Sequence, residues 1–197
     1  MKHATCLTSG PRQDHNRRQR RQRGADLATE TRAQATPGTG EGETLSFLGL
    51  TNIAVRLVQD EYPGAKLLEG DGIPPGGPTT NPKDVTSWRF VFRTASGGTA
   101  FIYTTVWGEF TPVEYVPKPW VGDIVIPWPI KMDIVEADKL LKGHGYTSPY
   151  RAVTLQWPLA PGNEQPFYIF GFGPFSFVFV GIYDGSVTPH NVTNSET

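Results

Sequence analysis

Two stretches of the chain run through the same succession of patterns: an apolar stripe at helical spacing, then segments that alternate apolar and polar residues. In the first stretch, Phe47, Leu50, Ala54, Leu57 and Val58 recur at the helical period and give one buried face. Thr44 or Ser46 can cap this helix, and it ends before Pro63, because the residue preceding a proline disfavours the helical conformation. Trp88, Phe90 and Phe92 then share one face of a strand, Ser96-Gly97-Gly98 turns the chain, and Phe101, Tyr103, Thr105 and Trp107 share a face of the next. Val113 and Tyr115 continue the sheet after a break at Gly108. Before the strands, only Ala65 to Leu68 reads as apolar; Gly70 to Pro78 reads as a loop on its turn residues.

The second stretch opens on Asp133 and Glu136 at capping-box spacing, followed by the stripe Ile134, Ala137 and Leu141, with Gly143 placed to end the helix. Val153, Leu155 and Trp157 alternate with Ala152, Thr154 and Gln156; Phe167 to Phe172 forms a second strand, and Phe177, Phe179 and Tyr183 alternate with Val178, Val180 and Ile182 in a third. The closing turns match in residues. Gly108-Glu109-Phe110-Thr111-Pro112 aligns with Gly185-Ser186-Val187-Thr188-Pro189, each a Gly-x-apolar-Thr-Pro in which glycine supplies positive φ at a strand end. Duplication explains the shared order better than chance does.

The expected fold class is therefore α+β: two helix-plus-antiparallel-sheet repeats, over 45–116 and 131–190, after a disordered basic tail over 1–44. Whether the two sheets are continuous is left open by the pattern. Residues 117–130 hold four prolines and read as an extended connector rather than a central strand; residues 191–197 read as a C-terminal tail. Aromatic residues at 12% and charged residues at only 19% fit a sheet-dominated fold and exclude a chain disordered throughout.

Tyr62-Pro63-Gly64-Ala65 after a helix, then Trp88-Arg89-Phe90-Val91-Phe92 and a strand closing on Gly108-Glu109, resembles a PepSY-type domain. The second helix, the strands near 151–157 and 167–172, and the close on Asp184-Gly185-Ser186-Val187 resemble another copy. The resemblance spans about residues 45 to 189, and the tandem architecture is similar to that of β-lactamase inhibitory proteins. It implies helices packed on an antiparallel sheet and a role in inhibition or protein binding; it carries over no catalytic residue. The Pro/Gly-rich insertion at 72–82 departs from it.

Catalytic motifs are scarce. His3 and His15 lie in the tail and His190 near the C-terminus, leaving His144, which reads as a helix-end residue bonding the last carbonyls. No nucleophile elbow, P-loop or dinucleotide motif occurs. The lone Cys6 permits no internal disulfide, and no Cys/His cluster suits zinc. No catalytic residue, metal or cofactor is therefore assigned; carboxylates cluster at Asp60/Glu61, Asp133/Glu136/Asp138 and Glu69/Asp71, and a paired-carboxylate hydrolase stays open because residues distant in the chain can meet in space.

Arg17-Arg18-Gln19-Arg20-Arg21-Gln22-Arg23 confines the basic character to the tail, so the folded part offers no electrostatic reason to bind nucleic acid. The pattern holds no membrane span. As written the chain reads as cytoplasmic, and as secreted if its start is misassigned or trimmed. Asn191-Val192-Thr193 is a glycosylation sequon that matters only on a secretory route.

The tryptophans are the better lead. Trp88 and Trp157 read as core. Trp107, Phe110, Tyr115, Trp120 and Trp128 are the candidate binding residues, because aromatic side chains in turns and a proline-rich connector are favoured interface anchors. For Trp120 and Trp128 the competing role is to staple the connector over the junction of the sheets. The expected function is a non-catalytic, inhibitor-like protein-binding module. The alternative is a small-ligand-binding protein or enzyme with Phe101, Tyr103, Tyr168 and Phe170 lining a pocket and Asp123 or Glu114 as its polar group.

Overall fold

The computed structural model describes residues 45–191. The expected disordered tail, its arginine cluster and the chain beyond Asn191 lie outside the described residues. Two helices, α1 (Phe47–Glu61) and α2 (Ile134–Gly143), accompany eight strands: β1 (Lys66–Ile73), β2 (Ser87–Arg93), β3 (Thr99–Tyr103), β4 (Glu114–Val116), β5 (Ala152–Gln156), β6 (Phe167–Gly173), β7 (Ser176–Gly181) and β8 (Val187–Asn191). They form one continuous antiparallel sheet in the order β4-β3-β2-β1-β5-β6-β7-β8. The chain is α+β.

Both helices bury their stripes in one core on one face of the sheet. Phe47, Leu50, Ala54 and Val58 of α1 and Ile134, Ala137 and Leu141 of α2 join Trp88, Phe90, Ile102, Leu155, Tyr168, Phe170 and Val180. Phe47 lies 4.4 Å from Trp88 and 5.8 Å from Tyr168, centroid to centroid, and so links strands from both halves of the sheet. Strand alternation turns Glu69, Asp71, Arg89, Phe101, Tyr103, Thr154, Gln156, Phe167 and Phe179 to the opposite, helix-free face.

Four boundaries differ from the sequence reading. Gly70 to Gly72 belongs to a central strand, not a loop: β1 pairs with both β2 and β5 and joins the two halves. Its glycines face the core, where Phe90 and Trp88 occupy the space a side chain would take. The second strand ends at Tyr103, so Thr105 and Trp107 lie in the following turn. Val187 to Pro189, read as part of a closing turn, forms the edge strand β8 against β7. The residue that ends α2 with positive φ is Gly145, not Gly143; Gly145 donates to Lys142 and Tyr146 to Leu141, which closes the last turn.

The helix starts share one carboxylate. Ser46 caps α1 through its hydroxyl, which accepts from the Gly49 N–H at 3.1 Å. Asp133 caps α2 by accepting from the Val135 N–H at 3.1 Å, and its other oxygen accepts from the Leu48 N–H of α1, also at 3.1 Å. One anion thus faces the positive ends of both helices. Asp133→Ala is expected to cost about 2 kcal/mol, roughly twice a single cap, with Asp133→Asn losing less. Urea denaturation checks this; a loss no larger than that of Ser46→Ala would show that only one helix depends on Asp133.

Candidate functional site

The helix-free face carries the only polar cluster at the middle of the sheet among the described residues. Glu69 and Asp71 alternate with the core-facing Gly70 on β1, and Arg89 lies across from Asp71 on β2. Arg89 donates to Glu69 Oε1 at 2.8 Å and also to Asp71. Thr154 on β5 donates to Asp71 at 3.0 Å, tying the two halves together through side chains as well as backbone.

The connector crosses this cluster. Trp120 donates its ring N–H to Asp123 at 2.6 Å, meets Phe101 edge-on at 5.8 Å, and receives the Arg89 guanidinium over its ring at 5.5 Å. Gln156 donates to the same Asp123. Ile124 then donates its N–H to Trp157 O and Ile126 donates to Leu67 O, so the segment is sewn to the sheet and its Ile126 enters the core. Beneath it Val91, an apolar side chain between two core-facing phenylalanines, is buried on the helix-free side.

Burial comes first in raising the Glu69 carboxyl from an ordinary 4.5 to about 8; a hydrogen bond with Asp71 and the charges of Asp71 and Asp123 add to it, while Arg89 opposes it. Glu69 therefore holds a proton near neutral pH, while Arg89 donates to both carboxyl groups. Glu69 is only 6% exposed, so no substrate reaches it. The pair acts as a lock between strands and connector. Burial also raises the Tyr150 and Tyr168 hydroxyls; these donate to Asp138 and to Met132 O inside the core.

The five candidate aromatic residues do not meet in one place. Trp107 donates to Leu45 O at 3.0 Å beside the helix starts, and Phe110 lies 6.3 Å from Phe90. Tyr115 stacks on Tyr62 at 5.3 Å at the sheet edge. Trp128 donates to Asn52 Oδ1 of α1 at 2.7 Å. Trp120 alone lies on the helix-free face. Both connector tryptophans are half-buried and hydrogen-bonded, which makes them staples of the connector.

The four residues of the alternative pocket lie on opposite faces: Phe101 and Tyr103 on the helix-free side, Tyr168 and Phe170 fully buried in the core. Glu114 lies exposed on the edge strand β4. His144 Nδ1 lies 3.0 Å from Leu140 O, at the helix end. No group of three or more metal-binding side chains converges among the described residues, and no described helix is long and apolar enough to cross a membrane.

Sequence reasoning passed over the most exposed apolar feature. Leu159 donates its N–H to Gly122 O at 2.7 Å, pairing the connector with the loop between β5 and β6. This pairing presents Val121 at 82% exposure and Leu159 at 70%. Beside them, the same loop and the outer face of β6 to β8 enclose an open groove of about 690 Å³ with Phe167, Phe179 and His190 on its floor. A Pro-Leu-Ala-Pro run is the sole local signal for it. Compared with protein-family models, with curated proteins and with solved structures, the chain finds no match in any of the three.

Proposed function

We propose that this chain is a non-catalytic, inhibitor-like protein-binding module made of two PepSY-like repeats, and that it meets its partner through the helix-free face. The observation that carries this is the pair Val121 and Leu159, held out from that face by two backbone-paired loops beside an aromatic groove. Burying such large side chains at a contact releases more free energy than any other exposed feature of the face can. A rigid sheet below them keeps the ordering cost of binding low.

Duplication is supported by the mirrored strand order about the β1–β5 pair, with each helix followed by four strands. Gly108 and Gly185, in the turns before β4 and β8, both have positive φ, at +92° and +67°. The carboxylates of the central cluster are engaged by Arg89, Thr154, Trp120 and Gln156 as ties between strands and connector, which supports a structural role for them.

The test compares the full chain with Val121→Asp/Leu159→Asp in pull-downs from the native extract. The wild type is expected to retain a specific partner and the variant to lose it, a change of at least about 2 kcal/mol if the pair is the anchor. Exposed positions leave folding stability within about 0.5 kcal/mol, which a melting curve checks. A wild type that retains nothing specific, or a variant that retains the same partner, removes the proposal.

A further inference from the structure

We infer that the groove between the β5–β6 loop and the outer face of β6 to β8 takes a segment of a partner protein in which a lysine or arginine lies next to an apolar or aromatic side chain. The inference rests on the protein-binding reading and names the chemistry of the partner.

The floor is aromatic. Phe167 and Phe179 meet edge-to-face at 5.6 Å, and His190 meets Phe179 edge-to-face at 5.5 Å. The rim is acidic, with Glu164 and Asp184 both lining the groove. From Ala152 to His190 these two are the only acidic residues, and there is no lysine or arginine at all. No lysine or arginine lines the groove to offset these two carboxylates. Asp184 is held ionised: the Ser186 backbone N–H, at 2.9 Å, and then the Gln165 side chain lower its pKa.

The walls are pre-built. Gln165 Oε1 accepts from the Tyr183 N–H at 2.7 Å, tying the loop to the β7–β8 turn. Trp157 donates to Asn163 O at 3.0 Å and braces the same loop from within. A cation reaching the rim meets the Asp184 carboxylate held by the Ser186 N–H, with Glu164 beside it, while its neighbour lies on the phenylalanine floor. Arginine suits both tasks, since its planar group pairs with carboxylates and stacks on rings. The loop that walls the groove also carries the exposed Leu159. A peptide segment can meet both the groove and Leu159, because one loop carries them.

The experiment pans a phage-displayed random dodecapeptide library on the full chain. Recovered peptides are synthesised and titrated calorimetrically into the wild type, into Glu164→Gln/Asp184→Asn, and into Leu159→Ser. The expected peptides place Lys or Arg beside an apolar residue, bind the isosteric double variant roughly tenfold more weakly, and lose affinity as salt rises. Peptides without a cation, peptides that bind the double variant equally well, or no recovered peptides at all would overturn the inference. If peptides of another chemistry bind while Val121→Asp/Leu159→Asp still loses its partner, the groove chemistry fails and the protein-binding reading stands. If cationic peptides bind but the pull-down recovers nothing specific, the reading fails and the groove chemistry survives.

Discussion

Gly72→Val is expected to destabilise the fold by about 3 kcal/mol, and Gly72→Ala by about 1 to 3 kcal/mol, the range for overpacking a filled core. A Cβ at Gly72 would lie 2.6 Å from the Trp88 ring, a distance that real Cβ contacts do not reach. The ring has no room to retreat. It is 2% exposed, its N–H donates to Val85 O at 2.8 Å, and Phe47 and Phe90 flank it. The strand must give instead, and β1 holds the two halves together. Urea denaturation measures the loss. The decisive comparison is Gly72→Ala with Trp88→Leu: the double variant should lose at least about 1 kcal/mol less than the sum of the singles, because each creates what the other lacks. Strict additivity, or a Gly72→Ala protein as stable as the wild type, would show that the approach is not tight.

Glu69→Gln is expected to remove a stretch of pH-dependent stability. The Glu69 carboxyl, pushed up to about 8 mainly by burial, titrates near 4.5 when unfolded. Between those values the folded state holds a proton that the unfolded state releases. Its contribution to stability is full below about pH 4.5, declines as pH rises, and is gone above about 8. The slope is at most about 1.4 kcal/mol per pH unit. Glutamine keeps the shape and a hydrogen-bonding amide but does not titrate. The variant should match the wild type near pH 4 and exceed it at pH 9. Unfolding midpoints of both proteins across this range give the difference profile, which cancels the other carboxylates. A flat difference would show that Glu69 holds no proton in the folded state across this range.

The helices and six of the strands can be read from residue patterns, because each buries one face and the burial period appears in the residue order. Ser46, Asp133 and the α1 stripe show this directly. The strand β1 escaped that logic. Glu69-Gly70-Asp71-Gly72 has the composition of a turn, yet its glycines are small because Phe90 and Trp88 lie against them, and its acids are tolerated because Arg89 lies on the next strand. A short alternation of small and polar residues was the one available signal. The edge strand β8 was hidden in the same way, since Thr188-Pro189 reads as a turn until β7 lies beside it.

The candidate site divides along the same line. Residue order marked the connector tryptophans as needing a reason, and the reason lies far along the chain: Asn52 for Trp128, Phe101 and Arg89 for Trp120. By itself the sequence determined the α+β class, the two helices with their buried stripes, and the alternation that splits the strands into two faces, because these depend on neighbours within one turn or one pleat. Only the tertiary structure decided that the two sheets are one, that Asp133 serves both helices, and that Val121 and Leu159 stand out beside an acidic, aromatic groove. Those features come from pairing segments that are tens of residues apart, and no local period records such a pairing.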